Sequence, residues 1–146
     1  MKTQELEELL GVECVCMDDE GRVFSIETDV FFTDQDPVPG YVEVVDSQLR
    51  FSDATEVLLH FEMRGLEIDE GWFPAFIPAI VGQYGVKVEE FAFIELWSTL
   101  DDAVEAFARF RAALKVLVQW EHDQFAATGP RAVLSPADVA ALPSMA

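Results

Sequence analysis

The twelve residues from Arg22 to Thr33, RVFSIETDVFFT, decide the first half of the fold. Phe24, Ile26, Val30 and Phe32 fall on one side of an extended chain, and Ser25, Glu27 and Asp29 fall on the other. A period of two with a single apolar face marks an antiparallel strand that covers a core and shows its other face to water. Working backward, Asp18-Asp19-Glu20-Gly21 is turn-forming and Val12 to Met17 is β-rich, so Val12 to Thr33 reads as a hairpin. Ahead of it, Leu6, Leu9 and Leu10 stand among glutamates in a short amphipathic helix that Gly11 ends.

Working forward, Asp34 to Gly40, with Pro37 and Pro39, is a loop, and Tyr41 to Asp46 is a third strand. Ser47 to Ala54 either extends the sheet or crosses to the next element. Thr55 to Arg64 reads as a fourth strand, because Val57, Leu59, Phe61 and Met63 alternate with Glu56, His60 and Glu62, with Leu58 breaking the pattern. Trp72 to Tyr84 reads as a short apolar helix that starts near Pro74 and is irregular at Pro78. Val86 to Trp97 is the fifth strand. Ser98 and Thr99 can cap a last helix whose first turn holds Asp101 and Asp102, where the helix dipole favours anions. From Leu100 to about Phe125, the residues Leu100, Val104, Phe107, Leu114, Leu117 and Val118 form an apolar stripe broad enough to cover a sheet.

This order predicts an α+β fold: a mainly antiparallel sheet of about five strands, with a short N-terminal helix, the short apolar helix and the long C-terminal helix on one face. Residues 1–125 are expected to form one domain. Residues 126–146, rich in Ala, Pro, Gly and Ser, read as a C-terminal tail with one short helix available at Ser135-Pro136.

Charge narrows the class of partner. The chain holds 28 acidic and 9 basic residues, with 25 of the acids and 5 of the bases before Arg109. Such a field repels nucleic acid and anionic membrane and attracts basic surfaces. The apolar fraction of 51%, with 12 Phe and 3 Trp, excludes disorder driven by charge. Gly71 to Val86, free of charged residues, is 16 residues long and broken by Gly, Gln and Pro, too short for a membrane span of roughly 20 residues. The opening MKTQEL turns acidic at once and carries no apolar signal-peptide core, and Cys14 and Cys16 are spaced poorly for a disulfide, so a reducing cytoplasm is the expected compartment.

Motifs that name a reaction are missing: no phosphate-binding Gly-rich loop, nucleophile elbow, His-Glu-x-x-His or dinucleotide fingerprint occurs. His60, placed on the polar face of a strand, and His122, near the end of the long helix, are read as structural. Cys14 and Cys16 read as small buried thiols, since one Cys-x-Cys without a second pair is a weak metal signal. Asp34-Gln35-Asp36 opens like a calcium loop, but its sixth position is Pro39 and its twelfth is Val45. The expectation is therefore a non-enzyme with neither cofactor nor metal.

Two binding readings stay open. In one, acidic side chains including Glu27, Asp29, Asp34, Asp36, Glu43 and Glu62 dock a basic protein partner. In the other, Trp72, Phe73, Phe76 and Tyr84 anchor a homodimer, structural or chaperone-like, or take the apolar part of a partner. Size, charge and element order resemble those of small acidic secretion chaperones and of immunity proteins that neutralise basic toxins, with no residue motif behind either likeness. The resemblance implies an inhibitor-type or chaperone-type binding role.

Overall fold

The computed structural model describes residues 1–65, 73–89 and 93–128, without the side chains of 73–76 and 125–128. Its elements in chain order are α1 (Thr3–Leu10), β1 (Cys14–Cys16), β2 (Val23–Ile26), β3 (Gly40–Val45), β4 (Gln48–Ser52), α2 (Glu56–Met63), α3 (Phe73–Gly82), β5 (Lys87–Val88), β6 (Ile94–Thr99) and α4 (Ala103–Thr128). The fold is α+β, with one antiparallel sheet of six strands in the order β1-β2-β3-β4-β6-β5. α1 and α3 both pack against α4, which lies on β4 and β6, so these three helices share one face of the sheet.

The opening hairpin forms with Cys14 opposite Ile26 and Cys16 opposite Phe24. Its second strand stops at Ile26, and Asp29 takes a φ of +57°, which turns the chain away from the sheet. The four apolar residues nevertheless stay together, because Phe24, Ile26, Val30 and Phe32 are all buried. The β3–β4 hairpin closes over Asp46-Ser47, with Asp46 at φ +56°, a conformation that aspartate tolerates in tight turns. Gly40 has no room for a Cβ, which would meet the Thr28 methyl at 2.6 Å, and the Thr28 hydroxyl donates to the Val38 carbonyl at 2.7 Å. A glycine here lets the loop after β2 lie down on β3.

The core lies between the sheet and α4. Ala103, Ala106, Phe107, Phe110, Ala113, Leu114, Leu117 and Trp120 are buried along one stripe of the helix, in three-and-four spacing. The three alanines allow close approach, and Phe107 and Phe110 meet Phe51 of β4 at centroid distances of 5.8 and 6.0 Å. Leu100 and Val104, expected in this stripe, are exposed because the buried face passes through Ala103 and Ala106 instead.

Residues 56–63, expected as a strand, form α2. Helical spacing buries Val57 and Phe61, four residues apart, and leaves Leu59 and Met63 in solvent. Asp53 starts this helix: its fully buried carboxylate accepts the Thr55 N–H at 3.1 Å and the Val57 N–H at 3.0 Å. It also accepts the Ile94 N–H at 2.9 Å, tying the entry of α2 to the start of β6. Burial outweighs these three hydrogen bonds and pushes the Asp53 carboxyl up to about 6. The strand count rises from five to six because 48–52 joins the sheet, and the expected strand over 86–97 is a hairpin pairing Lys87 with Glu95 and Val88 with Ile94. Most of residues 126–146, expected as a tail, lies outside the described residues.

Candidate functional site

Two features of the surface carry functional information. The first is the face of the sheet opposite α4, over which no described helix lies. Because successive side chains alternate, the cross-strand rows Val15–Ser25–Tyr41–Ser52–Glu95–Lys87 and Val23–Glu43–Arg50–Trp97 share that face. Glu27 keeps the same alternation just past β2, where its N–H extends the β1 ladder by bonding the Glu13 carbonyl at 3.2 Å. Trp97 is the aromatic centre and remains 44% exposed. Arg50 is held flat beside it: Nε donates to Glu95 at 2.5 Å, Glu43 lies 3.8 Å away, and the guanidinium stands 5.1 Å from the Phe93 ring centroid. Val15 and Met17 are also exposed at the β1 edge. At the far end, Asp18, Glu43 and Asp46 line a shallow groove with Arg22. Asp18 accepts the Val23 and Arg22 N–H groups, and the bond from Val23 does most to hold its carboxyl below the usual range. Along the two rows and their extension, Glu13, Glu27, Glu43 and Glu95 outnumber Arg50 and Lys87, so the face is acidic, with exposed Trp97 beside the Arg50–Glu95 pair.

The second feature sits where the 31–37 turn meets α2 and α4. The turn is closed by a Phe31–Pro37 bridge and by the Phe32 N–H donating to the Asp36 carbonyl at 2.8 Å. Asp34 Oδ1 accepts the Asp36 N–H at 3.2 Å, and its Oδ2 faces His60 Nε2 at 3.3 Å. The His60 ring is stacked on Phe32 with centroids 3.5 Å apart and planes 8° from parallel. Behind the imidazole stands Glu121, which has no solvent exposure. One of its oxygens accepts the Thr33 hydroxyl at 3.1 Å, and the other lies 3.8 Å from His60 Nε2 and 3.9 Å from Arg64 Nη1. Arg64 Nη1 donates to Thr33 Oγ1 at 2.7 Å. Asp34, Asp36 and His60 each bring one ligand atom within 4.8 Å of the others, the only such group of three among the described residues.

The expected acidic set is thus divided. Glu27 and Glu43 share the open sheet face; Asp34 and Asp36 meet at His60; exposed Asp29 pairs with Arg111 at 3.6 Å; and Glu62 is exposed on α2, not on a strand. His60 likewise lies on a helix, half-buried, and not on the polar face of a strand. Trp72 and the side chains of Phe73 and Phe76 lie outside the described residues. Tyr84 packs at the margin of the core, and Ile77 and Val81 of α3 are fully buried. Of the two thiols expected to be buried, Cys16 is exposed at the sheet edge, with its S–H directed at the Asp18 carbonyl. Cys14 is buried, and burial, helped by Glu7, pushes its thiol up to about 11.

Sequence reasoning passed over Trp97, Arg50 and Glu121. Glu121 was detectable, since it stands four residues after Leu117 and seven after Leu114, in register with the buried stripe. Neither a protein-family model, nor a curated protein, nor a solved structure matches the chain. No described helix is long and apolar enough to cross a membrane.

Proposed function

We propose that the protein is a small acidic binding module of the reducing cytoplasm, of inhibitor or immunity type, which acts by docking a basic protein and not by catalysis. The observation that carries this reading is the open sheet face, where a half-exposed tryptophan lies beside the Arg50–Glu95 pair on a surface that also carries Glu13, Glu27 and Glu43. An exposed aromatic on an acidic face is an arrangement in which a few aromatic anchors supply affinity and charges supply speed and selectivity. Glu27 and Glu43 face a partner there, and Trp97 with Val15 and Val23 would meet its apolar residues. The Arg50–Glu95 pair holds the middle of the face rigid, which limits the side-chain entropy lost on docking.

The test is capture from a lysate of the producing cells by wild type, by Glu27→Lys/Glu43→Lys, by Trp97→Ala and by Glu62→Lys. The reading expects a basic protein that is retained by wild type and by Glu62→Lys, released by salt, and lost with the other two variants. A captured protein that ignores both charge reversal on the sheet and loss of Trp97 would refute this surface. Capture of the chain by itself alone would favour self-association through residues 72–84.

A further inference from the structure

We propose that Asp34, Asp36 and His60, backed by Glu121, form a binding site for one divalent cation of the zinc type. The tight turn carries two carboxylates to one imidazole, and two buried atoms at their meeting point lack hydrogen bonds: His60 Nε2 and Glu121 Oε2. A fully buried carboxylate oxygen without a hydrogen bond is costly even with Arg64 3.9 Å away, and it lies 3.8 Å from the imidazole nitrogen. Asp34 Oδ2 is closer, at 3.3 Å, yet no hydrogen bond joins it to that nitrogen. These separations are those of ligands around an ion. Two ligand atoms each about 2.1 Å from a metal at the tetrahedral angle stand about 3.4 Å apart. Asp34 and His60 already have that spacing, Asp36 lies within 4.8 Å of both, and Glu121 Oε2 stands behind the imidazole at 3.8 Å as the supporting carboxylate.

The donor set selects the class of cation. One imidazole with carboxylate oxygens suits zinc and neighbouring first-row divalent ions, whereas calcium and magnesium are held by oxygen alone. Charge agrees with this choice: Asp34, Asp36 and Glu121 bring three carboxylates, Arg64 offsets one, and a divalent ion balances the rest. The surroundings also resemble a supported site. Phe32 fixes the imidazole plane, and Thr33, held by Arg64, orients the Glu121 carboxylate through its other oxygen. The ligands come from the 31–37 turn and from α2, with Glu121 of α4 behind them, so an ion would tie the turn to α2 over the end of α4. This assignment uses none of the sheet-face residues and stands apart from the docking reading.

The full chain carrying Cys16→Ser, to remove the exposed thiol, is stripped with chelator and titrated with Zn²⁺ by calorimetry, with Ca²⁺ and Mg²⁺ in parallel. Melting temperature and bound metal after gel filtration are recorded on the same samples. The expected result is one Zn²⁺ per chain, a rise in melting temperature, and no comparable effect of Ca²⁺ or Mg²⁺. Asp34→Asn and His60→Gln should each weaken Zn²⁺ binding by at least about ten-fold, whereas Asp101→Asn, an exposed acid far along the chain, should not. The Asp34 side chain is one-third exposed and asparagine keeps the Oδ1 that accepts the Asp36 N–H, so this variant folds whether or not the site is real. Co²⁺ substitution should give visible absorption altered by His60→Gln. Zn²⁺ affinity unchanged in Asp34→Asn and His60→Gln, or no stoichiometric binding at all, would overturn the assignment and leave His60 as an ion-pair partner of the two carboxylates.

Discussion

Replacing Asp53 with asparagine tests whether the junction between α2 and β6 carries a buried ionised carboxylate. Lifting that carboxyl from 3.8 in the unfolded chain to about 6 in the folded one corresponds to about 3 kcal/mol, at ~1.4 kcal/mol per pH unit. The sign follows from which state holds the proton more tightly. The folded state does, so the penalty is absent below the unfolded value, grows as pH rises between the two values, and is complete above the folded one. Stability from this group therefore falls as pH rises. The isoelectric point near 4.1 makes pH of about 5 the practical floor for soluble work. About half of the penalty is already present there, which leaves about 1–2 kcal/mol to appear by pH of about 7.5. Asparagine keeps an oxygen for Thr55 and Ile94 but offers Val57 an amide donor where an acceptor stood, a loss of about 1–3 kcal/mol at every pH. The assay is urea unfolding of wild type and Asp53→Asn across that range, followed by tryptophan fluorescence. The stability of wild type minus that of the variant should fall by about 1–2 kcal/mol as pH rises, whichever of the two is the more stable at the start. A difference, wild type minus variant, that stays constant or rises with pH would show that the three N–H groups overcome burial, and the reasoning would fail.

Other perturbations reach the rest of the fold. Phe110→Ala removes a fully buried ring packed on Phe51 and should cost about 3–5 kcal/mol in chemical denaturation. Gly40→Ala forces a Cβ into the Thr28 methyl and should cost about 1–3 kcal/mol, most of it recovered when Thr28→Ser removes that methyl. Arg50→Met leaves Glu95, whose side chain is only 14% exposed, without its guanidinium partner and should lower stability by about 1–3 kcal/mol, an effect absent when Glu95→Gln is added.

The alternation from Arg22 gave the side of each apolar residue correctly even where the strand ended early, because burial of Phe24, Ile26, Val30 and Phe32 needs only that they share a side. Residues 56–63 were misleading for a physical reason. Val57, Leu59, Phe61 and Met63 satisfy a period of two, and Val57 with Phe61 satisfies a helical spacing equally well. What decides between them is Asp53, a capping residue whose carboxylate is also claimed by a strand 41 residues away. Leu58, the residue that interrupts the alternation, is half-buried on the helix and was the local sign of it. The acids were individually visible, but not their grouping. Asp34 and Glu121 each approach His60 only because the 31–37 turn, α2 and α4 converge, and no local pattern encodes a contact across 88 residues such as Thr33 with Glu121. Trp97 stood out of view for a related reason: its exposure depends on which face of the sheet the helices choose.

The docking claim is tested most directly by placing a photo-crosslinking amino acid at position 97 in the intact chain, with a second sample labelled at Leu59 on the exposed side of α2. After irradiation in the producing cells, the account predicts one dominant adduct from position 97 to a basic protein, suppressed by Glu27→Lys/Glu43→Lys and absent from position 59. Adducts from position 59 alone, or an adduct at position 97 that survives the charge reversal, would contradict it.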